Sequence, residues 1–261
     1  MMSDNRPIGI FDSGVGGLTV AKQVMAQLPN EQIIYFGDCL RVPYGEKSSE
    51  ELAGFSRDII NFLLSKDAKA IIVACGTISS RIFDLVKTFA PNGIPIFGML
   101  EPGVRAALDA TRSGNIGIIA TEGSINSRGF ENAIVRANPN ANVTGVACPL
   151  FPHLVEEGWF DNAVADMTAQ IYMEDFGSKN IDTLLLGCTH YPLLSSSIAK
   201  ALPAHVVLVD PAAQLVKELA QTISHAENRS SSHEYYVSGK KDRFDKVAKA
   251  ILGHGISSIL I

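Results

Sequence analysis

The sequence predicts an α/β protein of two similar lobes, each a mainly parallel sheet flanked by helices, with a cleft between them. Three observations point there. Short Ile- and Val-rich runs alternate with longer amphipathic segments along the whole chain. The runs are apolar on successive positions, as expected of strands covered on both faces, and strand–helix–strand repetition favours parallel pairing. Finally, "IGIFDSG" (8–14) resembles "IGIIATEG" (116–123) and "IIVACGT" (71–77) resembles "LLLGCTH" (184–190). Both echoes fall about 110 residues further on, which is the mark of an internal repeat and implies two lobes.

The elements follow in order. "PIGIFDSG" (7–14) reads as the first strand and is followed by a helix from Leu18 to Leu28. "QIIYFGD" (32–38) is the second strand, with a helix from Ser49 to Ser65 behind it. "AIIVACGT" (70–77), a helix from Ile78 to Phe89, "IPIFGML" (94–100) and a helix from Pro102 to Thr111 complete the first series. The second series has strands "NIGIIAT" (115–121), "NVTGVACP" (142–149), "DTLLLGCT" (182–189) and "HVVLVDP" (205–211), with a helix from Tyr191 to Ala201. Segments 209–220 and 234–253 come after the second cysteine strand, so the chain is expected to return and complete the first lobe. That gives residues 1–97 with 208–261 in one lobe and residues 98–207 in the other. No Pro- or Ser-rich linker separates them, and the polar tract 224–234 reads as a surface loop.

Composition narrows the function. Of 261 residues, 46% are hydrophobic and 19% charged, a balance that folds rather than stays disordered. A net charge of −5 disfavours a general binder of phosphate backbones, so no nucleic acid partner is expected. There is no signal-peptide pattern and no run near the ~18 apolar residues of a membrane span, which points to a soluble cytoplasmic protein without a membrane partner. Cys39, Cys75, Cys148 and Cys188 are far apart and form no C-x-x-C pair. Neither a zinc knuckle nor a disulfide framework is expected, no metal site is indicated, and the thiols should be reduced.

Ligands of open α/β sheets bind beyond the carboxyl ends of the strands. Asp12, Asp38, Cys75 and Cys188 all occupy that end of an expected strand. A helix start after each cysteine offers N–H groups and a positive dipole end, which would hold a carboxylate and favour thiolate over thiol. A buried cysteine at a strand end is common by itself; two at matching places in a repeat are not. "FDSGVGG" (11–17) fails the G-x-G-x-x-G pattern because Thr19 occupies the third position, and it carries no Walker lysine. Its glycines read as a tight turn into a helix, with Asp12 and Ser13 facing the site or Asp12 serving as a cap. His190 is a candidate acid or charge partner for Cys188. Glu156 and Glu157 in "LVEEGW" read as a solvated helix face, and Cys39 and Cys148 as packing residues.

"IGIFDSGVGGLTV", "YFGDCLRVPYGEKS", "IIVACGT", "IFGMLEPG", "IGIIATEGS", "CPLFPHLVEEG" and "DTLLLGCTHYPLL" together resemble the ordered motifs of the cofactor-independent glutamate racemases, within the aspartate/glutamate racemase superfamily. The likeness extends from about residue 7 to 211. It implies an active site between the lobes, catalytic roles for Cys75 and Cys188, and no cofactor. It also implies that Asp12, Ser13, Tyr44, Gly45, Gly76, Thr77, Thr189 and His190 bind substrate or assist the cysteines, and that Glu156 lies near Cys188 and His190. A homodimer acting on glutamate, with D-glutamate feeding peptidoglycan, is a further implication. Two positions depart from the pattern: Gly76 stands where asparagine is usual, and Cys39 where threonine is common. Loss of the asparagine side chain removes a hydrogen bond worth about 1 to 3 kcal/mol and leaves aspartate, or binding without turnover, as alternatives. A thiol-transfer enzyme fits poorly without C-x-x-C.

Overall fold

The computed structural model describes residues 3–227 and 232–261, and its strands fall into two sheets. β1 (Ile8–Asp12), β2 (Ile33–Gly37), β3 (Ala70–Val73), β4 (Ile96–Gly98), β9 (Glu234–Val237) and β10 (Ile259–Leu260) make a six-stranded sheet in the order β10-β9-β2-β1-β3-β4. β5 (Asn115–Ala120), β6 (Asn142–Ala147), β7 (Thr183–Leu186) and β8 (Val207–Val209) make a four-stranded sheet in the order β6-β5-β7-β8. Every pairing is parallel. The orders β2-β1-β3-β4 and β6-β5-β7-β8 are the same, so the echo in the sequence is a repeat of topology.

β1, β2, β3 and β7 are buried at every position, which is why they read as unbroken apolar runs. Parallel neighbours need a crossover, and the helices Leu18–Gln27 and Ser49–Ser65 supply the first two. The second begins on a capping box, in which Ser48 accepts from the Glu51 N–H while the Glu51 side chain accepts from the Ser48 N–H. The chain passes to the four-stranded sheet through the helix Leu100–Ala110 and returns through the helix Pro211–Thr222. One apolar cluster takes Val15 and Tyr35 from the first lobe and Phe151, Val155 and Tyr191 from the second, so the lobes are pressed together.

Several elements differ from expectation. The helix expected over 78–89 begins at Gly76, breaks at Ile82 (φ −137°), and continues as a short helix Phe83–Val86 and a 3-10 turn Lys87–Phe89. The break lets the Phe83 ring lie on Gly98 of β4. The helix expected over 191–201 is a 3-10 turn, Tyr191–Leu194, followed by Ser195–Lys200; Pro192 at its start removes a backbone donor. Of the tract 224–234, residues 228–231 lie outside the described residues, and Glu234 already belongs to β9. No helix among the described residues is long and apolar enough to cross a membrane.

Candidate active site

The two echoed strands place their cysteines alike. Cys75 follows β3 by two residues and Cys188 follows β7 by two, each at the carboxyl end of its sheet. The residues brought around one cavity between the lobes are Ser13, Tyr44, Gly45, Cys75, Thr77, Cys188, Thr189 and His190, with Val42, Pro43, Thr121 and Pro152. Asp12, Gly76 and Glu156 stand directly behind this lining. The free volume is about 10 Å³, room for one water molecule.

Cys75 caps the helix Gly76–Arg81, and the N–H groups of Ile78 and Thr77 are directed at its sulfur. Burial nevertheless pushes this thiol up, and the Asp12 carboxylate pushes it the same way, against the pull of those N–H groups. This corrects the sequence expectation: the helix start does not tip Cys75 towards thiolate, because desolvation at 4% exposure outweighs it.

Cys188 has a different neighbour. Its Sγ lies 3.6 Å from His190 Nδ1, and His190 Nε2 lies 2.9 Å from Glu156 Oε1. The same carboxylate oxygen accepts from the Val15 N–H at 3.0 Å. Burial by itself would keep His190 neutral, but its hydrogen bonds to Cys188 and Glu156 outweigh this and hold its pKa well above the ordinary histidine value. Burial likewise raises Glu156, yet His190, the Val15 N–H and Arg243 carry it below the usual carboxylate range. A buried ion pair therefore backs Cys188. The sequence reading of Glu156 as a solvated helix face is corrected by this contact, which depends on chain folding from far away; Glu157 is exposed and pairs with Arg243.

Asp12 is fully buried at the end of β1. Its Oδ2 accepts from the N–H groups of Gly14 at 3.2 Å and Gly17 at 3.0 Å, and its Oδ1 accepts from Thr189 Oγ1 at 3.2 Å. Asp12 is thus both a brace for the turn and a link to the second lobe. None of Gly14, Gly16 and Gly17 has a positive φ. Close approach explains them: a Cβ at Gly16 would meet the His190 ring at 2.6 Å, and one at Gly14 would meet Glu156 at 2.0 Å. Cys39 and Cys148 are buried, as packing residues should be.

One residue of this lining escaped the sequence reading. Thr121, just past β5, lies 2.9 Å by Oγ1 from Thr77 Oγ1 and 3.0 Å from Ser124 Oγ, bridging the lobes. The repeat aligns Thr121 with Ser13, so the signal was present. Asp38 accepts from Tyr44 Oη at 2.5 Å, Arg41 Nη1 at 3.2 Å and Ser238 Oγ at 2.7 Å. It anchors the segment that brings Tyr44 and Gly45 to the cavity. Burial, and next Asp38, push the Tyr44 phenol upward, so it stays a donor. Among the described residues, no three His, Cys, Asp or Glu side chains gather as a metal site requires.

Comparison with known proteins agrees with this arrangement. The family model described as Asp/Glu/hydantoin racemase matches residues 18–219. A glutamate racemase of Geobacter metallireducens is 43% identical, the match covering 97% of this chain and 95% of that one. The crystal structure of a glutamate racemase of Francisella tularensis, in complex with D-glutamate, superposes with a TM-score of 0.90 at 38% identity, over 98% of this chain and 97% of that one. A glutamate racemase of Bacillus anthracis gives a TM-score of 0.92 at 37% identity, with the same coverage. A chain with this two-lobed fold and this degree of likeness over nearly its whole length belongs to the glutamate racemases of the Asp/Glu/hydantoin racemase family, and is an amino acid racemase, an isomerase.

Proposed function

We propose that the protein interconverts L- and D-glutamate by moving the Cα proton between two bases, Cys75 and Cys188, one on each face of the substrate. The observation that carries this reading is that corresponding strand ends of two repeated sheets bring two thiols to one small cavity. Inverting an amino acid requires a proton to leave one face of Cα and another to arrive on the opposite face. One sulfur, as thiolate, takes the proton; the electron pair left on Cα spreads into the α-carboxylate; the other sulfur, as thiol, delivers its proton to the far side. The thiols then hold each other's protonation states, and exchange with water restores them.

The surroundings supply the rest. Free cysteine titrates at about pH 8.5, so the two sulfurs need different environments to hold different states. Burial pushes the Cys75 thiol up and so favours its protonated form in the closed site, and His190 is the proton partner within reach of Cys188. Ser13 and Thr77 line the cavity, where their hydroxyls would donate to the α-carboxylate as its charge grows, and Thr189 would do so by turning its hydroxyl from Asp12. The cavity is too small for glutamate, so we take the moving bodies to be residues 1–97 with 208–261 and residues 98–207, parting to admit it. Family membership is the support for two finer parts of the reading: that the D-glutamate enters peptidoglycan, and that the protein works in the cytoplasm as a homodimer.

The test is incubation of L-glutamate with the protein in D2O, followed by chiral chromatography and NMR. Racemisation should place deuterium at Cα of the D product, and aspartate run in parallel should react more slowly. Cys75→Ser and Cys188→Ser should each lose racemisation by at least about 10²-fold, while each still exchanges or eliminates the Cα proton of one enantiomer, a different one in each variant. Near wild-type racemisation in either variant removes the two-base scheme. Binding of glutamate without loss of optical activity removes the racemase reading itself.

A further inference from the structure

At Gly76 the chain just past Cys75 lies against the backbone just before Cys188. A Cβ built there would stand 2.1 Å from the carbonyl oxygen of Gly187, 3.0 Å from its carbon and 3.4 Å from Cα of Cys188. All three atoms are main chain, so no side-chain rotation makes room. The residue does not have a positive φ, which leaves close approach as the reason for glycine. The contact joins the residue after Cys75 to the residue before Cys188, across the lobes. Two other backbone approaches lie along the same interface: a Cβ at Gly129 would meet the Ser80 carbonyl oxygen at 2.2 Å, and one at Gly123 would meet the Gly45 carbonyl oxygen at 2.6 Å.

We propose that Gly76 sets how closely the lobes shut, and with it the spacing of the two sulfur atoms; it is a positioning residue for Cys188 rather than a missing substrate contact. This rests on the racemase reading above and deepens it. The sequence pattern treats glycine here as the loss of an asparagine amide, but the Cβ that would carry the amide has its space taken by the Gly187 carbonyl. Restoring ordinary contact to any Cβ at this point takes about 1 Å or more of separation. A 1 Å misplacement of reacting groups costs on the order of 10²-fold in rate. Asparagine at this position therefore goes with a second lobe that sits further away, and glycine with a tighter closed state.

The experiment compares Gly76→Ala and Gly76→Asn with wild type, using Gly54→Ala as control, since a Cβ at Gly54 meets nothing within 4 Å. Two quantities are read: kcat and KM for both glutamate enantiomers, and the alkylation rate of each cysteine by iodoacetamide, resolved by peptide mass spectrometry. Cys148, fully buried within the second lobe, is the internal reference. The expected result is a fall in kcat of about 10²-fold for both enantiomers in both Gly76 variants, a smaller change in KM, and faster alkylation of Cys75 and Cys188 with Cys148 unchanged. Gly54→Ala should match wild type in every respect. The proposal is overturned if Gly76→Asn racemises as well as wild type, if kcat falls without faster alkylation, or if Cys148 accelerates equally, which would mean general loosening. Alkylation needs no turnover, so it decides the role of Gly76 even where wild type fails to racemise glutamate and the activity reading falls alone.

Discussion

His190 and Glu156 show how one pair of residues links stability to chemistry. The folded-state pKa of His190 lies above its ordinary 6.5, so the stability it contributes is fully present below that value and is lost as pH rises through the raised one. Glu156 lies below its ordinary 4.5, so its contribution is present above that value and is lost as pH falls through the lowered one. The ion pair behind Cys188 is therefore intact across the neutral range. In Glu156→Gln the amide oxygen still accepts from Val15 and His190, but the negative charge is gone and the pKa of His190 falls. The alkaline limb of the kcat/KM profile should move to lower pH, with circular dichroism unchanged; a profile that stays in place would show that His190 is not the group titrating there. At this scale the sequence was most informative for Cys75 and Cys188, because a repeat doubles a weak signal. For Glu156 the local pattern read only as a solvated helix face; it was the family resemblance that placed it near Cys188 and His190, because its contact with His190 joins residues far apart in sequence.

Among the elements, the segment after β2 is held by one side chain. Asp38 is wholly buried and takes three donors, two of them from its own loop and one from Ser238 beyond β9. Asp38→Ala leaves Tyr44 Oη without its acceptor and frees the loop that carries Tyr44 and Gly45. KM for glutamate should rise about tenfold, equivalent to about 1.4 kcal/mol, with a smaller loss in kcat. Tyr44→Phe breaks a single link and should raise KM less; equal effects on kcat and KM in Asp38→Ala would count against a positioning role. Strands buried on both faces, such as β1, β3 and β7, were legible because burial leaves no choice but continuous apolar residues. The helices after Cys75 and Cys188 were not, since Ile82 and Pro192 bend the chain to meet neighbours distant in sequence. β10 has two exposed residues and a single partner strand, too little burial to leave a pattern.

Taken whole, the molecule is a pair of sheets closed on a cavity of about 10 Å³. Glutamate bridging both lobes should add stability by mass action, about 2.7 kcal/mol at a concentration 100 times its Kd. For a chain of this size that is a rise in Tm of roughly 5 to 10 °C. Differential scanning calorimetry with each enantiomer checks it, and an unchanged Tm at saturating glutamate would show that the ligand does not join the lobes. The lobes themselves could be inferred from the repeat. Their contact could not, because it joins an apolar cluster, hydroxyl and carboxylate hydrogen bonds, and close backbone approaches at Gly76, Gly123 and Gly129, all between residues distant in sequence.

The chain leaves the six-stranded sheet once and comes back once, through the helices Leu100–Ala110 and Pro211–Thr222. These run against each other: Arg105 grips Glu218 with hydrogen bonds of 2.8 and 2.5 Å, and a Cβ on Gly103 would sit 3.1 Å from the Pro211 ring. Two adjacent tethers fastened in this way leave a body one easy axis of rotation, along the seam they form. On the opening proposed above, the second lobe would hang like a jaw from this seam, swinging rather than sliding, with the rim farthest from the seam travelling most.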